Sequence, residues 1–126
     1  MRFSISNNEI QSLLAKGNIN IFFQPSDTRE VKIGANSLLS IKVGFGVSNK
    51  TLNLTYSTGA VTGRVVNFII NLFRSRFGSI RLDLSIPGSI GVDLTSIPNA
   101  NKLLDIVDIT DLYFDYGDLV VEGKLK

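Results

Sequence analysis

A chain of 126 residues with 44% hydrophobic content can bury one sizeable core, so one domain spanning residues 1–126 is the expectation. It has no Cys, His or Trp, which removes thiol nucleophiles, disulfides, the usual zinc sites and Ser-His-Asp triads. The formal charge is only +2, yet residues 1–81 carry ten Lys/Arg against three Asp/Glu (net +7) and residues 82–126 three against eight (net −5). Such asymmetry reads either as a basic patch or molecular dipole, or as ordinary decoration of solvent-facing strand positions.

Met1 to Glu9 contain no leader-like apolar stretch, and no apolar run approaches the roughly 20 residues that cross a bilayer. A soluble, cytoplasmic chain is expected. The first element is a short helix: Ser6 and Glu9 form a capping box, Ile5 and Ile10 occupy the staple positions, and Gly17 is placed to end it in a left-handed conformation. Its one apolar side, Ile10, Leu13 and Leu14, suits a clasp lying on a sheet.

From Asn18 the period changes to two. Ile19, Ile21 and Phe23 alternate with Asn18 and Asn20, Pro25-Ser-Asp breaks the run, and Val31 and Ile33 flank Lys32. Next comes a half-solvated antiparallel hairpin, with Ile41, Val43, Phe45 and Val47 on one strand and Leu52, Leu54 and Tyr56 on the other, joined at Asn49-Lys50. Gly44 and Gly46 on its outer face favour local curvature. Thr58-Gly59 ends that hairpin.

Residues Val61 to Phe77 then form a helix whose apolar positions outnumber its polar ones. At 3.6 residues per turn, Val65, Val66, Phe68, Ile69, Ile70, Leu72, Phe73 and Phe77 cover over half the circumference, leaving a stripe of Arg64, Asn67, Asn71 and Arg74. One sheet face does not cover so much. A larger core, a second copy of the chain or a lipid-like ligand would each do so. Gly78 stops the helix, and Ile80, Leu82, Leu84 and Ile86 pair back through Pro87-Gly88 onto Ile90, Val92 and Leu94. Asn99 caps a short helix through Leu103 and Leu104. A last hairpin, Val107 to Tyr116 and Leu119 to Leu125, turns at Tyr116-Gly117-Asp118 and slips parity near Thr110-Asp111, which predicts a bulge. The fold class expected is α+β: a curved antiparallel sheet of about seven strands on one long apolar helix, with two short helices.

Little here is catalytic, and a non-enzymatic protein is expected. Asp105, Asp108, Asp111, Asp115 and Asp118 lack the register of a calcium loop, and the interleaved Leu112 and Phe114 mark a strand. Gly44-Phe-Gly46 sits inside a strand pattern and not at a phosphate-binding turn. A pI near 9.0 raises nucleic acid, but the arginines are few and not interleaved with aromatics, so it is not a favoured partner. No metal and no cofactor is implied.

The order of elements, with Ile80-Arg-Leu-Asp-Leu-Ser-Ile-Pro, Leu103-Leu-Asp-Ile-Val-Asp-Ile and Asp118-Leu-Val-Val-Glu-Gly123 closing the chain, resembles small bacterial tubular lipid-binding (TULIP-like) domains. More narrowly it resembles LmeA-like phospholipid-binding proteins and related uncharacterised families, with Asp118 in place of a usual Gly. The resemblance implies a phospholipid or other apolar molecule held between a curved sheet and a long helix.

The expected function is therefore binding of a lipid or other hydrophobic ligand by the helix 61–77. Val65, Phe68, Ile69, Leu72, Phe73 and Phe77 would supply apolar contact, and Arg64, Arg74 and Arg76 would meet an anionic headgroup at the rim. A homodimer completing the groove and peripheral contact with an anionic membrane are the further partners expected. The alternative is a structural or interaction protein that self-associates, or binds a protein partner, through the same helix.

Overall fold

A computed structural model describes every residue except Asn49, Thr58, Gly59 and Asn99, and every side chain except those four and Ala60 and Val61. The expected turn at Asn49, the hairpin end at Thr58-Gly59 and the Asn99 cap lie outside the described residues.

Strand β1 (Arg2–Ile5) leads into helix α1 (Asn7–Lys16). Strands β2 (Phe22–Asp27), β3 (Glu30–Gly34), β4 (Ser40–Ser48) and β5 (Thr51–Tyr56) form a meander, followed by helix α2 (Ala60–Phe77). After β6 (Arg81–Asp83) and β7 (Ser89–Asp93), a 3-10 turn (Leu94–Ser96) and α3 (Ala100–Leu104) lead to the closing hairpin of β8 (Val107–Asp115) and β9 (Asp118–Leu125). All strand pairs are antiparallel, in a three-stranded sheet ordered β1-β9-β8 and a six-stranded sheet ordered β2-β3-β4-β5-β7-β6.

The α+β, antiparallel character is as expected, but the arrangement corrects the expected one. Among the described residues, nine strands in two sheets replace one curved sheet of about seven. The closing β8–β9 hairpin pairs with no strand of the larger sheet, and β1 adds to its β9 edge, Arg2 with Glu122 through Ile5 with Leu119. The long apolar helix is also not what forms. Val65, Val66, Ile69 and Ile70 of α2 are buried, Phe68, Leu72 and Phe73 half-buried, and Arg64, Asn67, Asn71 and Arg74 exposed, so α2 is an amphipathic helix. Its stripe is covered within one chain: Val66 and Ile70 pack with Ile80, Ile90 and Val92. No helix among the described residues is long and apolar enough to cross a membrane.

Local signals have mixed outcomes, each with a physical reason. Ser6 caps α1 as expected, its Oγ accepting from Glu9 N at 3.1 Å. Gly17, however, has φ −83°, and the left-handed residue is Asn18 at φ 54°; asparagine tolerates that region because its short amide bonds locally. Pro25 does not break β2 but pairs with Val31, as an edge strand allows. Strand β6 ends after Asp83 because that carboxylate accepts from Ser85 N (3.0 Å) and Ser85 Oγ (2.6 Å), a competing turn that leaves Leu84 and Ile86 exposed. The expected bulge is present between Ile109 and Asp111.

The two sheets are tied where the β2–β3 turn meets β8. Phe114 N donates to Thr28 O at 2.7 Å, Arg29 Nη2 lies 2.7 Å from Asp111 Oδ2, and the same guanidinium lies 5.8 Å from the Tyr113 ring centre. With Arg2–Asp115 (3.0 Å) and Arg81–Asp93 (2.7 Å), these pairs join cations of the basic first part to acids of the second. Part of the charge asymmetry is thus folded onto itself.

Asp93 illustrates the energetic consequence. Its Oδ1 accepts from Thr95 Oγ1 (2.6 Å) and Thr95 N (3.0 Å), capping the 3-10 turn. The Thr95 hydroxyl foremost, then the Thr95 amide and Arg81, outweigh burial and hold its carboxyl below the ordinary range. Because the folded-state pKa is the lower one, this stabilisation is complete at neutral pH. It fades as pH falls into the ordinary carboxylate range and is gone below the folded pKa. Asp93→Ala is expected to cost about 1 kcal/mol at neutral pH and to flatten the acid limb of a plot of melting midpoint against pH. An unchanged plot would contradict this.

Candidate functional site

Alternation on β3 and β4 sends Val31, Ile33, Ile41, Val43 and Phe45 to one side of the six-stranded sheet, and Leu52, Leu54 and Tyr56 on β5 continue that face. Opposite lie two different covers. Val66, Ile69 and Phe73, spaced three and four apart on one face of α2, form the first; Leu112 and Phe114 of β8 and Leu119 of β9 form the second. Between floor and covers is a cavity of about 180 Å³ whose wall exposes no polar atom.

Phe114 is the hinge of this arrangement. It is buried between Val31 and Val43 and meets Phe45 edge-on (centroids 5.4 Å, 86°) and Phe23 likewise (6.1 Å, 66°). Such edge-to-face pairs are a favoured aromatic packing, and all three rings stand in the cavity wall. Among the described residues no three His, Cys, Asp or Glu side chains come together as metal ligands. A second, similarly open depression of about 320 Å³, lined by Arg81, Asp83, Asp93, Leu82 and Ile86 among others, has a mixed polar and apolar wall.

Of the residues expected from sequence to bind ligand, Ile69 and Phe73 line the cavity. Val65 is buried but away from it, and Phe68 and Leu72 are half-buried flanks of α2. Phe77 is 36% exposed, tilted against Phe73 at 6.3 Å. None of the three arginines lines the cavity: Arg64 and Arg74 are exposed, and Arg76 Nη2 donates to Asn18 O at 3.1 Å. Most of the wall comes from strands that sequence patterning assigns simply to the core. The available signal was the shared inward parity of Val31, Ile33, Ile41, Val43 and Phe45 with Leu112 and Phe114.

Comparison with protein-family models, curated proteins and solved structures gives no match.

Proposed function

We propose that the protein is a non-enzymatic binder of an apolar ligand, a lipid acyl segment or a group of similar bulk, held in the cavity between the six-stranded sheet, α2 and the β8–β9 hairpin. The observation that carries this reading is the absence of any polar atom from the wall of a cavity of about 180 Å³. The space is half open, and enclosed apolar cavities of about 150 Å³ bind benzene-sized molecules. Left empty, the wall lacks apolar contact partners on the cavity side. An apolar occupant recovers that contact.

The wall also limits what enters. With no donor or acceptor inside, a carboxylate or phosphate stays outside and only a chain end or ring goes in. The resemblance of the closing segments to tubular lipid-binding domains supports the same reading. Val43→Phe, which places a ring into the cavity from its floor, is expected to remove the ligand while leaving stability equal or raised by about 1 kcal/mol. Native mass spectrometry of protein purified without detergent checks this: an apolar adduct on the wild type and none on Val43→Phe is the expected pair. Bare polypeptide in both, with no uptake of added fatty acid, would contradict it.

A further inference from the structure

The β3–β4 hairpin that floors the cavity ends in a tip whose exposure its core does not require. Leu38 is 89% exposed and Leu39 44%. Two adjacent leucines in water are not a loose end here, because the tip is built. Asn36 Oδ1 accepts from both Leu38 N and Leu39 N at 2.9 Å, Ala35 N donates to Leu39 O at 3.0 Å, and Ser40 Oγ donates to Ser37 O at 3.1 Å. Gly34 underlies it, with the Leu39 carbonyl oxygen only 1.9 Å from where a Cβ would stand.

Behind the tip, the outward face of the hairpin is cationic. Lys32 and Lys42 are directly opposed in register, a like-charge pairing that disfavours the sheet. Neither enters any of the ion pairs found among the described residues. Glu30, two residues along that face, accepts instead from Ser26 Oγ at 3.0 Å. Two strand residues separate each lysine from the loop, which puts the first loop residue about 10 Å along the hairpin. That matches the depth of about 5–10 Å to which interfacial anchors enter a bilayer while their charges stay among the phosphates.

We propose that this tip docks the protein on an anionic lipid bilayer, with Leu38 and Leu39 entering the interface and Lys32 and Lys42 meeting lipid phosphates. A convex apolar point backed by positive charge suits a soft, negatively charged surface. On the inward side of the same hairpin, Ile33 and Ile41, one pair in from Gly34 and Ser40 at the loop, are part of the cavity wall. Docking therefore brings the cavity within a strand residue or two of the membrane. This gives the proposed ligand a source and rests on the cavity reading for that purpose, though it is tested separately.

The chain has no Trp, so Leu38→Trp installs a single reporter. Its emission is expected to shift to the blue on vesicles of phosphatidylcholine containing phosphatidylglycerol, and much less on phosphatidylcholine alone. In vesicle pelleting, Leu38→Asp is expected to weaken binding about tenfold or more with an unchanged melting midpoint, because Leu38 already lies in water. Each lysine-to-glutamine change at Lys32 or Lys42 is expected to weaken it about fivefold and reduce the preference for anionic lipid. Emission unmoved on both vesicles, or pelleting of Leu38→Asp equal to wild type, would overturn the proposal. So would a wild-type dimer that Leu38→Asp converts to monomer, which assigns the tip to a second copy. Val43→Phe fills the cavity and leaves the tip intact; its pelleting should equal wild type whatever its ligand content, so failure of the cavity reading is distinguishable from failure of this one.

Discussion

Phe114→Ala is expected to lower the unfolding free energy by about 3–5 kcal/mol, the largest single-residue effect in the molecule. The ring is 6% exposed and lies between the two sheets, in contact with Val31 and Val43 of one and on the strand that tops the other. Removing it deletes two edge-to-face contacts, with Phe45 and Phe23, beyond the loss of buried area. The space created adds to an existing cavity instead of collapsing, since β8 is held against the β2–β3 turn by Phe114 N to Thr28 O and by Arg29 to Asp111. Urea denaturation measures the loss. Added benzene or a short fatty acid should restore more stability to this variant than to the wild type, by mass action on a larger apolar site. A loss below about 1 kcal/mol would be outside the range for a buried ring and would mean that the sheets do not meet at Phe114.

Gly34→Ala is the second large effect, about 2–3 kcal/mol of destabilisation. Glycine is required there by close approach: the added carbon would stand 1.9 Å from Leu39 O and 2.5 Å from Ser40 Cα, both backbone atoms that cannot swing aside. Relief means opening the β3–β4 tip and losing the Ala35 N to Leu39 O bond. Gly46→Ala is the control, because nothing lies within 4 Å of its added carbon. It should be neutral or stabilise by a few tenths of a kcal/mol through the unfolded chain. Equal midpoints for the two alanine variants in thermal unfolding would show that the tip is not held as described.

Much of the local structure was legible because it is written locally. The Ser6–Glu9 cap, the period-two runs of β4 and β5, the stop at Gly78 (φ 52°) and the parity slip near Thr110 each depend on residues a few positions apart. Strand β1 was not legible, since the alternation of Arg2-Phe3-Ser4-Ile5 covers only two apolar positions and runs straight into the cap of α1. Its existence depends on pairing with β9 more than a hundred positions away. That β8 and β9 pair with no strand of the larger sheet is likewise a long-range outcome. Within α2, Val65, Val66, Ile69 and Ile70 are buried by this chain alone, while Phe68, Leu72 and Phe73 are half-buried and Phe77 is exposed.

The candidate site was legible in part for a related reason. Hydrophobic parity states which side chains face inward, and it correctly directs Ile69 and Phe73 there, but it does not state how completely opposing chains fill the space between them. The cavity wall brings together Phe23, Phe45 and Phe114, which are distant in sequence. Charge was similarly ambiguous. Arg2, Arg29 and Arg81 neutralise Asp115, Asp111 and Asp93, whereas Lys32 and Lys42 stand together without such partners among the described residues.

Calorimetric titration of delipidated protein with a medium-chain fatty acid, repeated at several temperatures, tests the cavity most directly. The expected result is saturable one-to-one binding with a negative heat-capacity change, abolished in Val43→Phe. Absence of saturable heat in the wild type, or the same isotherm from the filled variant, would contradict an apolar ligand site between the two sheets and α2.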